Sequence, residues 1–361
     1  MNSLQHKANP VATWLLIGVG MLIIQILLGG ITRLTGSGLS ITEWDVITGT
    51  LPPLNENQWS LEFDKYRQTP QYRLLNSDFN LSDFKSIFFW EWLHRFWARL
   101  MGIVFLIPFI IFIIQRRFSK EMIKPLILLF ILGALQGAVG WIMVVSGLEG
   151  DEIYVKPTRL ALHFIFAMFL LGYTFWFALS LKVNEKDFVH SKQLKGFTWI
   201  IIAVLGLQFI FGALMAGHKA APAAPTWPDI NGSFIPDHIF NKGIKGIVED
   251  RIVIHFIHRM LAYILVVLVL IWNILALKIG GSKLFARVRA FPLFLVIIQA
   301  TLGILTLLTS VHIRPAKWNT FEWMAALHQF VALTLLLSLL FAAFLLRMNN
   351  RKRTTINDGS Q

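Results

Sequence analysis

Eight apolar stretches, each long enough for the roughly 20 residues that a helix needs to cross a bilayer, recur along this 361-residue chain. No other feature restricts the fold as strongly. They read as spans at Val11–Ile31, Ile87–Ile114, Met122–Gly147, Thr158–Leu181, Gly196–Ala216, Ile252–Leu277, Val288–His312 and Thr320–Leu346. The runs are continuous and not alternating, so helices that satisfy their own backbone are favoured over a membrane barrel. Only 15% of residues are charged and the mean hydropathy is +0.61, whereas soluble domains carry about 25% charged residues. The expectation is an all-α integral membrane protein. The first run ends in Gly29-Gly30-Ile31-Thr32-Arg33 and reads as a span, not a cleavable leader. No Arg- and Ser-rich transit segment is seen, which favours a bacterial inner membrane.

The net charge of +13 invites a nucleic-acid reading, and its distribution removes that reading. Loops and helix ends on the side of the two termini hold 17 Lys/Arg against 4 Asp/Glu, and those on the opposite side hold 13 against 15. The positive-inside rule then places both termini in the cytoplasm. The tail Arg351-Lys352-Arg353 reads as a solvated or lipid-facing anchor. The chain has no cysteine, so disulfides, thiolate metal sites and thioether-linked haem are excluded. Two outer loops are long, Arg33–Lys85 and Gly217–Arg251, against an ordinary connection of about 4–6 residues. The first holds Glu43-Trp44-Asp45 and Leu51-Pro52-Pro53 and reads as a cap over the outer face.

The chain is internally doubled. Odd-numbered spans carry Gln-x-x-x-Gly at Gln25/Gly29, Gln136/Gly140, Gln208/Gly212 and Gln299/Gly303. That spacing puts both residues on one helix face, and small residues with an amide suit close helix–helix packing. Even-numbered spans carry histidine: His94, His163, His258 and His328. His94 and His258 lie 164 positions apart, and His163 and His328 lie 165 apart. Four spans per copy means parallel repeats. The expected architecture is two pseudo-twofold-related four-helix bundles, residues 1–190 and residues 191–361.

All four histidines fall at a similar depth toward the outer side. A single intramembrane His is as often a hydrogen-bonded contact as a ligand. Four in duplicated places on paired helices point to function, because polar groups in lipid are costly. Two imidazoles from facing helices can clamp one haem axially, giving one site per half with His94/His163 and His258/His328 on the iron. A non-haem metal would need more ligands than each half offers. Arg95 and Arg259 follow a ligand in each half and suit haem propionates. Three residues before the ligand the halves diverge, with Glu91 in one and His255 in the other. A buried carboxylate there suits proton transfer during an oxidation; its plainer role is an ion pair with Arg95 or Arg99. His255 reads as an alternative ligand or a hydrogen-bond partner. Spacing does not choose between His255 and His258, although the repeat offset and the His-Arg pair favour His258.

These residues resemble the heme A synthase family over nearly the whole chain. The resemblance rests on Gly29-Gly30-Ile31-Thr32-Arg33-Leu34-Thr35, Thr48-Gly49-Thr50-Leu51-Pro52-Pro53, Glu91-x-x-His94-Arg95, Gln136 to Trp141, Arg159 to His163, Phe256-Ile-His258-Arg259 and Leu327-His328-Gln329. It resembles the branch without an outer-loop cysteine pair. His255 departs from the Gln that the resemblance implies there. The resemblance implies an oxidoreductase that converts a methyl of haem O to the formyl of haem A, for terminal oxidase assembly. It places haem O between His94 and His163 beside catalytic Glu91, and a haem b cofactor between His258 and His328. Expected partners are haem O, an electron donor protein, a haem O synthase and membrane lipids, with a homo-oligomer compatible. The competing expectation is a di-haem membrane cytochrome that only transfers electrons.

Overall fold

The computed structural model describes residues 3–43, 50–237, 239–313 and 318–347. Trp44, Asp45, Thr48, Gly49 and the basic tail lie outside the described residues. Twelve α-helices are described: α1 (Ser3–Leu34), α2 (Glu56–Arg67), α3 (Pro70–Leu75), α4 (Leu81–Ile114), α5 (Lys120–Val145), α6 (Pro157–Lys182), α7 (Lys192–Gly217), α8 (Gly243–Glu249), α9 (Arg251–Leu277), α10 (Lys283–Val288), α11 (Phe291–Thr309) and α12 (Thr320–Leu345). Eight segments are long and apolar enough to cross a membrane, each overlapping one expected span. The chain is therefore a multi-pass, all-helical membrane protein.

Several boundaries differ: α1 begins at Ser3 where Val11 was expected and α7 at Lys192 where Gly196 was expected. The second span was expected to begin at Ile87, yet α4 begins at Leu81. Asn80 is the cause: its side chain accepts from Ser82 N (2.8 Å) and Asp83 N (3.1 Å). Asp83 accepts from Asn80 N at 3.0 Å. This reciprocal box satisfies orphan amides and starts the helix before the apolar run. His94 thus lies 13 residues into α4, whereas His163, His258 and His328 lie 6, 7 and 8 residues into theirs.

The first outer loop is a folded cap. Tyr66 and Phe84 are fully buried, with ring centroids 5.3 Å apart, and Trp59, Phe63, Tyr72 and Phe88 pack around them. Burial drives this cluster, at about 1.5–3 kcal/mol per fully buried large side chain. Burial above all, with the Glu91 charge adding, pushes the Tyr66 phenol up to about 12.

Helices α1, α6, α7 and α12 form the central seam, with α6 on α7 and α12 on α1 joining the two halves. Buried Leu171, Ile201, Leu205, Leu333 and Leu339 fill it. Polar groups are paired where lipid-like surroundings make orphans costly: Trp272 Nε1 donates to Thr198 Oγ1 at 2.8 Å. Gln329 Nε2 donates across the seam to Ile26 O at 2.9 Å. The arrangement is consistent with two pseudo-twofold-related bundles. One inequality stands out. In the C-terminal half α9 packs on α11, whereas the equivalent α4 and α5 scarcely meet. Their side chains touch through rings such as Phe105 and Phe130, 6.5 Å apart.

Candidate functional site

The fourth turn of α4 carries the first constellation. Glu91 is only 3% exposed. Its Oε2 accepts from Ser40 N (2.8 Å), Ser40 Oγ (2.7 Å) and Ile41 N (3.0 Å), and its Oε1 accepts from Arg95 Nη2 at 2.6 Å. Arg95 also donates to Ile41 O and Glu43 O, both at 3.1 Å. The carboxylate and guanidinium together pin the loop that follows α1. A buried charge persists only when paired and hydrogen-bonded in this way.

The equivalent positions of the other half do the same task with opposite polarity. His255 is 1% exposed. Its Nε2–H donates to Ala220 O at 2.8 Å, and Arg259 Nη2 donates to its Nδ1 at 3.3 Å. Arg259 donates further to Asp229 O (2.7 Å) and Ala224 O (2.8 Å). Both His255 nitrogens are therefore occupied. Arg95 and Arg259, expected at propionates, spend their guanidinium donors on loop carbonyls and on the neighbouring Glu91 and His255.

His258 faces a different partner, the His328 ring, at a centroid distance of 6.5 Å. Two imidazoles that bind one metal from opposite sides at ~2 Å each place their centroids about 6 Å apart. The spacing fits bis-histidine clamping. His94 and His163 lie near enough to interact electrostatically. Among the described residues no group of three or more His, Cys, Asp or Glu is placed to hold a metal ion. A two-imidazole donor set suits a metal whose other ligands arrive with it, as a porphyrin's do.

Each histidine meets the Gln-x-x-x-Gly of the preceding span. The amide Nε2 of Gln25, Gln208 and Gln299 stands 3.3, 3.3 and 3.2 Å from Nε2 of His94, His258 and His328. Gln136 Nε2 stands 3.3 Å from His163 Nδ1 and 3.4 Å from its Nε2. A Cβ added at Gly29, Gly140, Gly212 or Gly303 would stand 3.1, 2.8, 3.3 or 2.9 Å from Cε1 of the corresponding ring. Sequence reasoning took these pairs for helix glue. The signal that could have found their real neighbours was present, since both motifs repeat with the same offset. Ser40 and Ala220 carried no such signal, because each is recognisable only through its partner.

Comparison with known proteins agrees with this constellation. A family model described as COX15-CtaA, cytochrome oxidase assembly protein, matches residues 12–340. The chain is 43% identical over 303 residues to the Heme A synthase of Parvibaculum lavamentivorans, covering 83% of this chain and 86% of that protein. It is 39% identical over 355 residues to the Heme A synthase of Novosphingobium aromaticivorans, covering 95% and 97%. The Heme A synthase of Cereibacter sphaeroides is 38% identical over 351 residues, covering 92% and 86%.

Proposed function

Because the chain belongs to the COX15-CtaA family of cytochrome oxidase assembly proteins, we propose that it is a heme A synthase. It is then an oxidoreductase that converts a methyl of haem O to the formyl group of haem A. The observation that carries the reading is two imidazole pairs on alternate spans, with a buried carboxylate three residues before the first ligand of one pair and a histidine at the matching place in the other. His94 and His163 hold the substrate haem O. His258 and His328 hold a resident haem b, which supplies one-electron redox chemistry when bound. Both nitrogens of His255 are occupied, which supports His258 as the ligand.

Glu91 sits one helical turn before His94 and takes the proton transfers that accompany oxidation. Ser40 Oγ, at 2.7 Å, is the hydroxyl through which such a proton reaches the outer loop. Arg95 holds the carboxylate in place. A second reading of Glu91, as a loop anchor alone, is favoured by its four hydrogen bonds, and Glu91→Gln separates the two below. The weak contact between α4 and α5 supports the N-terminal half as the exchanging site, because a prenylated porphyrin needs a lateral way in from lipid. The packed α9 and α11 suit a cofactor that stays.

The loop charge asymmetry supports cytoplasmic termini and sites toward the outer side of the inner membrane. Taking a methyl to a formyl is a four-electron oxidation that balances as two hydroxylations with dioxygen as oxidant followed by loss of water; each hydroxylation also draws two electrons from a donor protein. A haem O synthase is the natural source of substrate, and homo-oligomers are compatible with the fold. The test is to extract and chromatograph the haems of the wild type, His94→Ala and His258→Ala from a host that makes haem O. The His94 variant is expected to lose haem O and haem A, and the His258 variant to lose haem b. Wild-type protein that carries haem O yet never forms haem A would leave only the electron-transfer reading.

A further inference from the structure

The four Gln-x-x-x-Gly pairs are unexplained by helix packing alone, since every one of them meets a histidine. In an α-helix the carbonyl of residue i bonds the amide of residue i+4. A glycine at i+4 leaves that carbonyl uncovered on the side where a Cβ would stand. At α11 the consequence is visible: His328 Nδ1 donates to the main-chain carbonyl of Gln299 at 3.0 Å, across the bare backbone of Gly303. The Gln25 and Gln208 carbonyls lie close to His94 and His258, whose Nδ1 atoms have no hydrogen-bond partner; at α5 it is the Gln136 amide that stands 3.3 Å from His163 Nδ1. The amides add a second hold. Gln25 Nε2 donates to His94 O at 3.2 Å and Gln136 Nε2 to His163 O at 3.3 Å.

Resting on the haem reading above, we infer that the Gln-x-x-x-Gly pairs facing His94, His258 and His328 are positioning devices for those three rings. The glycine lets the ring lie against the helix, and the glutamine main-chain carbonyl takes Nδ1–H. Nδ1 is thereby the protonated nitrogen and Nε2 keeps its lone pair for iron, the tautomer that a haem ligand needs. The amide contacts at Nε2 are long, 3.2–3.4 Å, at the weak end of hydrogen bonding, and iron displaces them readily. The Oε1 atoms of all four glutamines are buried without a partner. Their side chains are thus incompletely satisfied, as expected when the main chain does the orienting.

The proposal predicts an order. Alanine at Gly303 meets its ring at 2.9 Å and at Gly212 at 3.3 Å, so Gly303→Ala must displace the imidazole while Gly212→Ala shifts it slightly. Both variants, with Gln299→Leu, are purified as the full chain and titrated with haem b, and the midpoint potential and low-spin spectrum of the C-terminal haem are read. Loss of the partner of a ligating histidine weakens metal binding roughly 10–100-fold. Gly303→Ala is expected to show that loss and a mixed-spin spectrum. Gly212→Ala is expected to bind haem with a raised potential, because an Nδ1–H with a weakened acceptor makes a less electron-rich ligand. Gln299→Leu, which keeps the carbonyl, is expected to retain the wild-type potential. If Gly303→Ala does not fold, Gly212→Ala and Gln299→Leu still decide. Wild-type potential and affinity in both glycine variants overturns the inference. A larger shift in Gln299→Leu than in Gly212→Ala does so as well, since the amide and not the carbonyl would then be the holder. A normal low-spin spectrum in His258→Ala or His328→Ala would instead remove the ligand assignment itself.

Discussion

The two halves of the molecule share a scaffold and differ at the residue three places before the first ligand. In the N-terminal half that residue is Glu91, which accepts three donors from Ser40 and Ile41. In the C-terminal half it is His255, which donates to Ala220 O. Both pin the loop after the preceding span, and both do so beside an Arg four residues on. What differs is charge: the first half buries an ion pair, the second a cation held by carbonyls. A buried carboxylate costs far more to keep than a neutral imidazole, and at this repeated position it stands in the half where substrate chemistry is proposed. The second difference is lateral, since α9 meets α11 while α4 stands off from α5. On the proposed function, this difference suits the first half to exchanging its ligand and the second to keeping it.

The sharpest break in this comparison comes from exchanging the equivalent residues. Glu91→Gln keeps the size and most hydrogen bonds but removes the charge and the proton site. It should cut haem A formation by roughly 10²–10⁴-fold, the usual worth of a general acid–base group, with haem O still bound. His255→Gln can still donate to Ala220 O and should leave turnover within the wild-type order of magnitude. Near-normal turnover in Glu91→Gln would make Glu91 an anchor, as His255 is.

Next comes the lateral opening. The chain has no cysteine, so Phe105→Cys with Phe130→Cys can be tied by a short bismaleimide without background. Holding α4 to α5 should slow haem O uptake by about tenfold or more, as gating steps do, and leave haem b content unchanged. Equal uptake before and after cross-linking would place the entrance elsewhere.

A smaller effect is expected at the seam. Gln329→Leu removes the bond to Ile26 O and leaves that carbonyl on its helix partner alone. The cost should be about 0.5–1.5 kcal/mol, read as a lowered unfolding midpoint in detergent with both haems retained. The least change is expected at the outer cap, where Asn80→Ala should cost ~1 kcal/mol and fray α4 back toward Ile87. Protection of the Leu81–Phe84 amides against exchange reports this directly. Haem A formation should persist, because Glu91 and His94 lie two turns and more further on.

Much of this molecule is legible along the chain. The spans followed from length and hydropathy, and the duplicated offsets of His94/His258 and His163/His328 identified the residues that the structure brings into pairs. The start of α4 was misjudged because an apolar run marks where lipid begins, not where a helix begins, and the box at Asn80 sets the latter. Gln-x-x-x-Gly reads as interhelical glue, and its amides do bond the next span, but the histidine opposite is not named by the spacing. Small residues serve helix packing and close ring approach equally well, and spacing within one helix does not say what lies opposite.

The sequence alone determined the class of protein, the number of crossings, the doubling and the identity of the histidines. These depend on local composition and on distances along the chain, which are one-dimensional quantities. Only the tertiary structure showed that, within Ile254-His255-Phe256-Ile257-His258, it is His255 whose two nitrogens are held by Ala220 and Arg259. It also decided that Arg95 and Arg259 hold loops, and that α9 meets α11 more closely than α4 meets α5. Those outcomes depend on which groups from distant segments reach each other first. A nitrogen already bonded to Ala220 O has no lone pair or proton left for another partner, and nothing within five consecutive residues can record that.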